Sequence, residues 1–70
     1  MTDIIEKLKK FPQVDNVITN DVYIAIKLKG NTIRLSVLRS IDNILDTYDY
    51  YLYSVSIDTI HEQLQIFGLR

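Results

Sequence analysis

The chain has 70 residues, of which 47% are hydrophobic and 24% charged, with a net charge of −1 and no cysteine. This composition is globular rather than disordered, and it excludes disulfide staples and thiolate chemistry. The length predicts one domain, residues 1–70, that buries only about 60% of the surface its unfolded chain exposes.

The first element is a helix. Asp3 with Glu6 reads as a capping box, with Thr2 as the alternative cap. Ile4, Ile5, Leu8 and Phe11 recur at helical spacing, and Lys9 and Lys10 suit the helix end. Pro12 disfavours helical geometry at Phe11 and ends the run. Val14 to Ile18 follows as a short strand, and Thr19-Asn20-Asp21 as a turn leading to the Val22 strand.

Val22 to Arg39 reads as a β-hairpin turning at Gly30-Asn31. That register opposes Leu28 to Ile33, Ile26 to Leu35 and Ile24 to Val37 on an apolar face. It also opposes Lys27 to Arg34 on the other face, a like-charge pairing that destabilises a sheet. Ser40 then caps a short helix from Ile41 to Tyr48, with Asp42, Asn43 and Asp46 on its outer face.

Tyr50 to Ile57 is a strand. Tyr51, Tyr53, Val55 and Ile57 are expected on its core face, and Tyr50, Leu52, Ser54 and Ser56 on the other. The tail fits a last helix over residues 59–67, capped by Thr59 and Glu62 and stopped at Gly68. A strand alternating Glu62, Leu64 and Ile66 with Gln63, Gln65 and Phe67 is the alternative. The expected fold is α+β, in the order α-β-β-β-α-β-α. Its sheet is mainly antiparallel, with the helices packed on one face.

No catalytic site emerges. His61 is the only histidine, and no cysteine accompanies it as a metal ligand. A serine nucleophile needs a base within reach, and His61 has no nucleophile-elbow motif beside it. Gly30 and Gly68 are the only glycines, so there is no phosphate-cradling loop. The sequence therefore predicts no enzyme, metal or cofactor.

The longest apolar run, Val22 to Ile26, is too short to span a membrane, and the opening residues have no apolar leader core. A cytoplasmic protein is expected. The abundance of Ile, Lys, Asn and Tyr, with Ala25 as the sole alanine, suggests AT-rich coding DNA and a microbial or viral source.

Two surfaces invite partners. Tyr23, Leu38, Tyr50 and Leu52 are expected to form an apolar patch on the outer sheet face, suited to homodimerisation or another protein partner. The alternative is nucleic-acid binding by the basic hairpin face, through Lys27, Lys29, Arg34 and Tyr23. Charge is uneven along the chain. Residues 1–39 hold seven Lys or Arg against four Asp or Glu, and residues 40–70 hold one against five. One basic and one acidic side would favour pairing of copies or contact with an anion.

Overall fold

The computed structural model describes residues 2–70. It contains α1 (Thr2–Lys9), β1 (Val14–Thr19), β2 (Tyr23–Leu28), α2 (Leu35–Thr47), β3 (Tyr51–Asp58) and β4 (Gln63–Leu69). The fold is α+β: a four-stranded antiparallel sheet, in the order β1-β2-β4-β3, with both helices on one face. Ile4 and Leu8 of α1 and Ile41 and Leu45 of α2 meet Ile24, Ile26 and Leu28 of β2 and Ile66 of β4, all fully buried.

The start follows the sequence reading, except that Asp3 lies inside the first turn of α1 rather than at its cap. The alternative cap, the Thr2 side chain, lies outside the described residues. β1 and β2 form the expected antiparallel pair. The Asn20 side chain closes their turn by accepting the amides of Val22 and Tyr23 at 2.8 and 2.9 Å. A bulge between Val14 and Asn16 lets Val14 and Val17, three residues apart, both turn inward.

The expected Val22–Arg39 hairpin does not form. Gly30 adopts the left-handed φ of +83°, but the chain then runs into α2 instead of returning along β2. Residues 33–37 alternate like a strand. Val37, Leu38, Ile41, Ile44, Leu45 and Tyr48 also keep helical spacing, and the longer pattern prevails. α2 therefore starts more than a turn before Ile41. Ser40 sits inside it, its Oγ donating to the Ser36 carbonyl at 3.0 Å. The helix also avoids the expected Lys27–Arg34 opposition, since Lys27 now faces Asn16 and Gln65.

The tail is a strand, not a helix. Leu64, Ile66 and Gly68 face the core, and the alternating residues are only partly covered. The turn before it rests on Asp58, whose Oδ1 accepts the amides of Ile60 and His61, while Glu62 takes a positive φ of 53°. β4 thus occupies the place beside β2 that the hairpin reading gave to residues 32–39.

β3 also departs from expectation. A bulge between Leu52 and Ser54 breaks its alternation, so its four expected core residues do not share a buried face. Tyr51 pairs with Leu69 on the outer face. Val55 and Ile57 lie opposite the buried Ile66 and Leu64, on the helix side. All four expected core residues are 41–64% exposed, whereas Leu52 packs onto the core and Tyr50 is buried.

Gly68 lies where β4 meets both neighbours, opposite Ile24 and Leu52. A Cβ there would stand 2.8 Å from Ile24 Cγ2 and 3.2 Å from the Tyr51 carbonyl. Gly68→Ala is expected to lower unfolding stability by about 1–3 kcal/mol, read as a lower urea midpoint.

Candidate interaction face

The side of the sheet away from the helices is arranged in rows by strand register. Ile18, Ala25, Phe67 and Ser54 stand side by side across the four strands. One row on, Asn16, Lys27, Gln65 and Ser56 align, and on the other side Tyr23, Leu69 and Tyr51. Ala25 is, like Ser54, a small member of its row. Between Ile18, Tyr23 and Phe67 it leaves a depression of about 270 Å³, bordered by Asn16, Lys27 and Gln65. The sole alanine of the chain therefore lies in this hollow, among larger neighbours.

The residues singled out from sequence are dispersed. Tyr23 and Lys27 meet at the depression. Lys29 lies just past β2, its amide bonded to the Gln13 carbonyl, and Arg34 caps α2 through backbone geometry. The basic group Lys27, Lys29, Arg34 and Tyr23 thus does not share one strand-paired face. In the apolar group, only Tyr23 keeps its expected place. Leu38 is on α2 and partly buried against the core, and Leu52 turns inward. Tyr50 is 2% exposed, its hydroxyl donating to the Asn20 carbonyl at 3.2 Å and the Arg70 guanidinium lying 4.6 Å from its ring centre.

Sequence reasoning does not bring Ile18 and Phe67 to this face. The capped tail pattern predicts Phe67 in a helix, and Ile18 ends a strand whose bulge has no signal in the sequence. Among the described residues, no group of three or more His, Cys, Asp or Glu lies together as a metal site. Nor, among those residues, is any helix long and apolar enough to cross a membrane. Compared with known protein families, curated proteins and solved structures, the chain matches none.

His61 sits in the β3–β4 turn, its Nδ1 2.8 Å from Asp58 Oδ2. This side-chain hydrogen bond, helped by the amides of His61 and Ile60, holds the Asp58 carboxyl below its ordinary 3.8 against the opposing effect of desolvation. A carboxyl that titrates lower in the folded chain stabilises the fold above its unfolded value, and that contribution fades as pH falls through the folded value. NMR titration should place the Asp58 midpoint below 3.8 in the native chain and closer to it in His61→Ala.

Proposed function

We propose that this chain is a small, cytoplasmic, non-enzymatic interaction module that self-associates through the outer face of its sheet. The depression around Ala25 carries this reading. It is an apolar hollow flanked by Ile18, Tyr23 and Phe67, and Ile18 is 53% exposed. Its rim of Asn16, Lys27 and Gln65 offers both donors and acceptors, so a second copy of the same face can satisfy it. An apolar centre within a polar rim is the usual anatomy of a protein contact.

A second reading rests on Tyr23, Phe67 and Lys27 lining the same hollow. Aromatic rings on an open sheet face can stack bases while a lysine meets phosphate. This reading requires single-stranded oligonucleotide binding that falls steeply with salt and weakens in Lys27→Glu. Binding insensitive to salt, or none, removes it.

Self-association is tested by placing a charge in the hollow. Ile18→Lys should lower the assembly mass in sedimentation equilibrium while leaving circular dichroism unchanged, because Ile18 is already exposed. An unaltered mass overturns the outer-face contact.

A further inference from the structure

The two edges of the sheet differ in kind. β1 is a six-residue edge broken by a bulge and carrying Asp15 and Asn16, features that discourage strand addition. β3 is an eight-residue edge with no charge before its last residue, Asp58, and no proline. Its ladder to β4 is unbroken from Ser54 to Asp58, and its far side is unpaired. Along this segment Val55 and Ile57 lie on the helix side, opposite Ile66 and Leu64, yet remain 41% and 54% exposed. They continue the core face of the sheet beyond the reach of the helices.

We propose that β3 is a two-fold seam, where two copies pair antiparallel about Ser56 to make one eight-stranded sheet. The segment Ser54–Asp58 is self-complementary in that register. Val55 of each copy lies opposite Ile57 of the other, and Ser54 opposite Asp58. Two β-branched pairs are matched, hydroxyls meet carboxylates, and no like charges are opposed. The bulge near Tyr53 falls outside the paired segment. Pairing β3 with the β1 edge of another copy would be head-to-tail and would not close, whereas the β3–β3 contact closes as a dimer.

This seam is distinct from the outer-face contact, though both rest on self-association. Where the two two-fold axes intersect, the two contacts join four copies as two stacked sheets. Ile18→Lys, which breaks only the face contact, should leave a species of twice the 8.2 kDa chain mass, and adding Ile57→Lys should bring it to one chain. A variant-free measurement accompanies this. In the native chain, the outward amides of Ser54–Asp58 should exchange more slowly at high than at low protein concentration.

Rates for those amides that do not change with concentration overturn the seam. If Ile18→Lys is monomeric with fast-exchanging β3 amides, the outer-face contact stands and the seam falls. If Ile18→Lys keeps the native mass and β3 is protected, the seam stands and the face contact falls. A native chain that stays monomeric throughout removes both.

Discussion

The fold depends on β2 being buried along its whole inner side while paired on both edges. Ile24, Ile26 and Leu28 are fully buried, and the strand hydrogen-bonds to β1 on one side and β4 on the other. Each of these side chains contributes on the order of 1.5–3 kcal/mol as an upper estimate, because real unfolded chains already hide some apolar surface. Ile26 shows the coupling best. It stands between Val17 and Ile66 in the ladder, so the register of three strands is set at one position. A slip of one residue in β2 would turn all three side chains away from the helices.

That strand was also the most legible part of the sequence, because strict alternation between two turns admits one period. The α1 stripe was legible for a similar reason, with Pro12 marking its end. Residues 33–38 were not, since their apolar positions satisfy both periods and only the continuation to Tyr48 decides between them. The tail failed differently. A hairpin is usually announced by glycine, asparagine or proline, but here the turn uses Asp58 as its acceptor and Glu62 in a left-handed conformation. Asp49, with a φ of 66°, likewise turns the chain out of α2 towards β3. Aspartate is a common residue at such a turn, but Glu62 does not advertise that role in a sequence.

The candidate face was legible as a location but not as a set of residues. An open outer face follows from any sheet with helices on one side only. Which residues occupy it depends on pairing. Tyr23 and Lys27 lie on the outer face, as the alternation of β2 predicts. Leu38, Tyr50 and Leu52 lie elsewhere, because α2 replaces the expected hairpin and a bulge shifts β3. Phe67 reaches the hollow only because β4 lies next to β2, so no reading that made the tail helical could have found it.

The two surfaces offered for association share one physical origin. A chain of this length supplies two helices of 8 and 13 residues, enough to cover the middle of a four-stranded sheet but not its β3 edge or its outer face. Val55 and Ile57 are therefore left at the margin of a core that continues geometrically but lacks a lid. A longer protein would close such a margin with another helix or strand. For a domain this small, a second copy in the proposed assembly would supply the missing layer without lengthening the chain. On this reading assembly and stability are linked, because partners that bind only the folded chain draw the equilibrium towards it. The exposed apolar residues of β3 then belong to a core that is complete only in the assembly.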